Sequence, residues 1–192
     1  MKMKKAIILL ANGFEEIEAV TVIDILRRAD VRCDMCSIES GDMVTGSHNI
    51  SIKADQHLAD LLAAGYEALA RKYDAVILPG GMPGSANLRD NEKVVETVKE
   101  FFKQGKIVAA ICAAPIVLER AGLLKNRRVT SYPGSLLDEK SCNYTGEMVT
   151  KDGNLITGRA PGAAAEFAYT ILDALGLVDR ADSLRKGMFF TK

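Results

Sequence analysis

The chain has 192 residues, with 25 acidic and 25 basic side chains and a formal net charge of zero. That length can bury a core without disulfide staples, and the charge balance gives no basic face for nucleic acid or an anionic membrane. No apolar stretch is long enough to span a bilayer.

The start is basic, and Ala6 to Ala11 is apolar, but Asn12-Gly13-Phe14-Glu15-Glu16 follows with no small-residue cleavage site. Residues 4–10 therefore read as a first strand rather than an export signal. With no such signal, the four cysteines are expected to be reduced, in a cytoplasmic setting. Ile17, Val20, Ile23, Asp24 and Arg27-Arg28 follow helical spacing, and residues 32–38 read as a second strand, completing a βαβ unit. The polar stretch 39–53 predicts a hairpin around Gly46-Ser47 or His48-Asn49. Residues 58–71 read as a helix weakened at Gly65, residues 74–78 as a buried strand, 92–102 as an amphipathic helix and 106–111 as another buried strand. Pro115 opens a short helix to Ala121, a brief strand spans 128–131, and Lys151-Asp152-Gly153-Asn154 marks a hairpin. Residues 163–175 give a strong helix, and the tail 179–190 a short closing one. With no repeat or linker, residues 1–192 are expected to form one domain. Strands alternating with helices predict a flavodoxin-like three-layer α/β/α sandwich around a mainly parallel sheet.

The segment Ile107-Val108-Ala109-Ala110-Ile111-Cys112-Ala113-Ala114-Pro115 carries the chemistry. An apolar strand runs into Cys112, then tiny residues, then a helix opened by proline. This is the layout of a nucleophile elbow with sulfur in place of oxygen. The small neighbours permit a tight, strained turn, and the helix N-terminus favours a thiolate. A buried cysteine at a strand end fits this segment equally well. Two further loops at the same sheet edge tip the balance. Leu78-Pro79-Gly80-Gly81 lets backbone N–H groups approach an anion and, with the Ala113 N–H, forms an oxyanion hole. Glu15, Glu16 and Glu18 crowd the first helical turn. A glutamate buried beside the sulfur would have a raised pKa and, protonated, would donate a hydrogen bond to it.

Together, Gly13-Phe14-Glu15-Glu16-Ile17-Glu18, Leu78-Pro79-Gly80-Gly81, Ala110-Ile111-Cys112-Ala113-Ala114-Pro115, Thr157-Gly158-Arg159-Ala160-Pro161-Gly162 and Glu166-Phe167-Ala168 resemble the ThiJ/PfpI superfamily, closest to its Parkinson-disease protein deglycase (DJ-one) branch. The resemblance implies a flavodoxin-like sandwich that dimerises, with Cys112 paired to a protonated Glu18 and with Gly81 and Ala113 lining an anion pocket. Gly80, Glu16, Tyr132, Arg159 and Pro161 are further pocket candidates. It also implies a glutathione-independent glyoxalase or deglycase, acting on small α-oxoaldehydes or glycated protein, with no metal or organic cofactor. The alternative is a redox-sensing or chaperone-like stress protein with little turnover, since the same cysteine oxidises readily. Ala113 stands where peptidase-like members carry a histidine, which argues against a Cys-His protease, and no base for an amidase is evident. Tyr132 stands where the human-like branch has a histidine. With a pKa near 10 it is a poor proton shuttle, so proton transfer falls to Glu18.

Cys33 and Cys36 lie three apart on a predicted strand, so their sulfurs diverge and no redox pair is expected. Cys142 is expected to be exposed. His48 and His57 lack metal-ligand spacing and read as structural or exposed, with His48 a candidate for the pocket rim or dimer contact. Arg27 and Arg28 complement a helix dipole, Arg28 being also a candidate dimer contact, and Arg159 is read either as the partner of a buried acid or as an exposed loop residue.

Overall fold

The computed structural model describes residues 3–190. In β1 (Lys5–Leu10) the side chains alternate between two apolar layers: Ala6, Ile8 and Leu10 join one buried cluster, Ile7 and Leu9 the other. A strand apolar on both sides belongs in the middle of a parallel sheet. After α1 (Glu16–Arg28), β2 (Arg32–Ser37) pairs parallel to β1. A hairpin of β3 (Met43–Thr45) and β4 (Ser51–Lys53) follows, and β5 (Gln56–His57) extends the β2 edge. Next come α2 (Leu58–Leu61), α3 (Tyr66–Lys72), β6 (Ala75–Leu78), α4 (Gly84–Asp90), α5 (Glu92–Lys103), β7 (Ile107–Ile111) and α6 (Pro115–Arg120). The short pair β8 (Arg128–Val129) and β9 (Asn143–Tyr144) stands apart from the main sheet. β10 (Val149–Asp152), β11 (Leu155–Gly158), α7 (Ala164–Ala174) and α8 (Val178–Gly187) complete the chain.

The central sheet has seven strands in the order β10-β11-β7-β6-β1-β2-β5, and every pairing is parallel except β10 with β11. α1, α7 and α8 cover one face, while α3, α5 and α6 cover the other. This is the expected flavodoxin-like sandwich. Strand order reverses between β1 and β6, and ligands of open α/β sheets bind beyond the strand ends at such a switch point.

The structure differs from the sequence expectation in several places. The helix expected over 58–71 is broken, because Gly65 adopts φ +88°, outside the helical region. α4 and β5 were not anticipated. The brief strand over 128–131 shrinks to two residues, and the Thr130 N–H instead donates to Thr157 Oγ1 at 2.9 Å. Cys142 is buried, its sulfur 3.3 Å from the Glu139 carbonyl, rather than exposed. Cys33 and Cys36 fall into opposite apolar layers, as the strand alternation required.

Gly158 pairs with Ile111 across β11 and β7. A Cβ there would lie 2.8 Å from Ile111 Cγ1 and 3.1 Å from Phe167 Cδ2. Gly158→Ala is therefore expected to lower stability by about 1–3 kcal/mol in urea unfolding, the usual range for overpacking. Unchanged stability would mean that α7 can shift off the sheet.

Candidate active site

Three strand ends converge at the switch point. β7 delivers Cys112, which sits at φ +62° and is 9% exposed. A non-glycine residue in the left-handed region is strained and is held only where its surroundings over-determine it. Here the Cys112 N–H donates to the Gly158 carbonyl at 2.8 Å, and the Cys112 carbonyl accepts from the Tyr132 N–H at 2.8 Å. The turn is thus clamped from β11 and from the segment after β8. The backbone N–H groups of Gly81 and Ala113 flank the sulfur and lower its pKa.

β1 delivers the carboxylates. Glu15 caps α1, its Oε2 accepting from the Glu18 N–H at 2.7 Å. Glu18 itself is fully buried. Its Oε2 accepts from the Gly80 N–H at 2.7 Å, and its Oε1 has no hydrogen-bond partner among the described residues. The carboxyl lies beside the Cys112 thiol, and a charge on Glu18 raises the pKa of that thiol. Gly80 lies between the two groups: a Cβ there would fall 2.5 Å from Glu18 Oε2 and 2.7 Å from Cys112 Cβ. Only glycine lets the carboxyl and the thiol meet.

Burial pushes the Glu18 carboxyl up to about 7, against the lowering effect of the neighbouring Cys112 thiol and of the Gly80 N–H, and the Glu15 charge adds to the rise. Burial likewise pushes Cys112 up to about 12 while Glu18 is charged, and the Gly81 and Ala113 N–H groups oppose that. The two groups share a proton and titrate as a pair. With the proton on Glu18, the Coulomb repulsion on sulfur vanishes and the carboxyl has a proton to donate, beside two backbone N–H groups that already favour the thiolate. With the proton on sulfur, the buried carboxylate has only the Gly80 N–H and a weak S–H donor. The donor count favours the protonated glutamate.

The other candidates are placed as follows. Glu16 does not turn to the sulfur but to the hairpin, accepting from the His48 N–H at 2.6 Å and lying 2.8 Å from His48 Nδ1. Burial raises its pKa, but the His48 and Ile50 hydrogen bonds win and hold it at about 2. Tyr132 adjoins Cys112 through its backbone while its side chain is largely exposed. Arg159 pairs with no buried acid: its guanidinium donates to the Gly146 carbonyl, pinning the loop ahead of β10, and Pro161 opens a single 3-10 turn before α7. His57 is engaged by Asp42 at 2.9 Å rather than by the flanking Asp55 or Asp60. Arg28 pairs with Asp24 one turn back, and Arg27 with the Cys33 carbonyl and Asp55. The sequence reading missed the tie between Glu16 and the hairpin turn, and the exposed Met82 beside Gly81. The first joins residues 32 apart, with no local signal.

A model of the DJ-1/PfpI family matches residues 4–174. The chain belongs to this family. It is 36% identical to Protein dj-1beta of Drosophila melanogaster, covering 96% of both chains, and 34% identical to a deglycase of Pyrococcus abyssi, covering 82% of this chain and 91% of the relative. A mutant of a DJ-1 superfamily protein from Salmonella typhimurium superposes with a TM-score of 0.90 at 34% identity, over 99% of this chain and 100% of the other. Family membership agrees with the resemblance carried by the five sequence motifs.

A substitution separates the two proton placements. Glu18→Ala removes one donor from a thiolate, so the midpoint of Cys112 alkylation against pH is expected to rise by about 1–2 units, the worth of one hydrogen bond to a charged group. A fall in the midpoint would mean that the resting carboxyl is ionised.

Proposed function

We propose that the protein is a cysteine-dependent enzyme of the glyoxalase/deglycase type, acting on α-oxoaldehydes such as methylglyoxal without glutathione. The observation that carries this reading is a strained Cys112 beside a fully buried Glu18 whose Oε1 has no hydrogen-bond partner among the described residues. The likeness to a protein named a deglycase supports it.

The sulfur adds to the aldehyde carbon, and the new alkoxide is held by the Gly81 and Ala113 N–H groups and takes up the Glu18 proton, giving a hemithioacetal. Glu18, now a carboxylate, removes the proton from that carbon and returns it to the neighbouring carbonyl carbon, while the hemithioacetal hydroxyl gives up its proton to the neighbouring oxygen and becomes the thioester carbonyl. The result is a 2-hydroxy thioester. Water hydrolyses it to the 2-hydroxy acid and frees the thiol. Oxidation at one carbon balances reduction at the next, so the scheme needs no external electron acceptor and no cofactor. Glycated protein fits the same sulfur as a larger aldehyde adduct. Tyr132 and Met82, exposed at the rim, would contact the substrate's tail.

The redox-sensor alternative uses the same sulfur without turnover. It is separated by lactate formation from methylglyoxal in the absence of glutathione. Wild type is expected to form lactate, Cys112→Ser none, and Glu18→Ala about 10²–10⁴-fold less, the usual contribution of a general base. No lactate from wild type with fully reduced Cys112 would overturn the enzyme reading and leave the sensor.

We further propose a single domain acting as a homodimer in a reducing, cytoplasmic compartment. Ile17 and Val20, three apart on α1, are exposed and belong to neither core layer, and so is Ile50 of the hairpin, whose N–H lies 3.5 Å from Glu16 Oε1 of the same helix. Sedimentation equilibrium is expected to give a dimer for wild type and a monomer for the double variant Ile17→Glu, Val20→Glu. A wild-type monomer would remove these residues as an interface. The four cysteines are free, and among the described residues no helix is long and apolar enough to cross a membrane.

A further inference from the structure

A second cluster of chemistry-bearing side chains lies on the hairpin side of α1, apart from the Cys112–Glu18 pair. Glu15, Glu16 and His48 each place one donor atom so that all three atoms lie within 4.8 Å of one another. His48 Nδ1 is 2.8 Å from Glu16 Oε2. Ser47 Oγ lies 3.1 Å from that nitrogen and 3.3 Å from that oxygen. Nitrogen and oxygen ligands bound tetrahedrally at about 2.0–2.2 Å stand roughly 3.3–3.6 Å apart. To hold an ion, the His48–Glu16 edge at 2.8 Å would open by about 0.5–0.8 Å, and the Glu15 atom, within 4.8 Å of both, would settle to the same spacing.

Charge points the same way. Among the described residues, no lysine or arginine lies within ion-pair distance of Glu15 or Glu16, and the one cationic partner is His48. A neutral His48 leaves two carboxylates side by side with no counter-ion. The donors are also held in place rather than gathered by chance. The turn between β3 and β4 is bound to the β1–α1 loop by the Gly13 N–H to the Thr45 carbonyl and the Ser47 N–H to the Phe14 carbonyl, both 2.8 Å. Gly46 is glycine because a Cβ there would strike Glu16 Oε1 at 2.3 Å. An imidazole with two carboxylates suits zinc and its first-row neighbours, whereas calcium and magnesium prefer all-oxygen shells.

We propose that Glu15, Glu16 and His48 form a divalent transition-metal site, with zinc the expected ion and Ser47 or water completing the shell. The site lies one helical turn from Glu18 and uses neither the Glu18 carboxyl nor the Cys112 sulfur as a ligand; Glu15 also caps the Glu18 N–H, so the proposal is tested by metal binding rather than by turnover.

The test uses the full chain freed of metal by chelation, titrated with zinc chloride by calorimetry and with cobalt(II) by visible absorption. Wild type is expected to take one ion per chain, with ligand-field bands and no thiolate-to-metal charge-transfer band. Cys112→Ser should bind as wild type does. His48→Ala, which alters a mostly exposed side chain, and Glu15→Gln should each weaken binding at least tenfold, with circular dichroism showing both folded. No binding by wild type, unchanged affinity in folded His48→Ala, or loss of the ion in Cys112→Ser would each overturn the proposal.

Discussion

The hydrogen bond from the Gly80 N–H to Glu18 Oε2 is the constraint on which the site depends. It joins the loop after β6 to the first turn of α1 and fixes the rotation of a carboxyl with no access to water. A carboxylate in that position is poorly solvated, and one peptide N–H does not replace the water it has lost. Proton uptake relieves the burial and removes the charge that raises the pKa of the neighbouring Cys112 thiol. The chemistry of the cysteine is thus set from α1, more than ninety residues away in sequence.

Close backbone approach makes that geometry possible and explains the glycines. A Cβ at Gly13 would lie 2.4 Å from Pro83 Cδ, and one at Gly81, at φ +90°, would lie 2.4 Å from the Glu15 nitrogen. The loops after β1 and β6 pack backbone against backbone, with the Glu15 N–H donating to the Gly80 carbonyl at 2.9 Å. Any side chain between them would part Glu18 from the sulfur. These glycines serve contact between loops as well as turn geometry, which relates the motifs at 13–18 and 78–81 to one another through space.

The elements that were legible in the sequence are those whose cause is local. Buried strands announced themselves by continuous apolar runs at 75–78 and 107–111, and the turn at Cys112 by a strand, tiny residues and a proline in succession. α4 was hidden because Pro79, Gly80, Gly81, Pro83 and Gly84 punctuate the chain just where a helix starts. The acids at 15, 16 and 18 could be counted but not assigned. The spacing placed Glu15 and Glu18 on one face, yet Glu15 caps the helix, Glu16 turns to the hairpin and only Glu18 reaches the sulfur. What separates them is the hairpin and the β6 loop, which come from other parts of the chain. Cys142 was misjudged for the same reason: a polar loop folded back over an apolar layer buries its thiol.

The position of one proton then decides what the site is. The two arrangements of the pair, carboxylate with thiol and carboxylic acid with thiolate, hold the same number of protons, so pH alone cannot choose between them. The choice falls to fixed dipoles. The Gly81 and Ala113 N–H groups already favour the anionic sulfur, as the fixed donors of a preorganised anion site do. No comparable set surrounds Glu18 Oε1. In the proposed mechanism the same carboxyl receives a proton from carbon when the sulfur is occupied by substrate. A thiolate stabilised by a lysine or arginine would be equally reactive, but it would leave no base beside it. A neutral glutamate next to the sulfur is therefore what the proposed proton transfer requires.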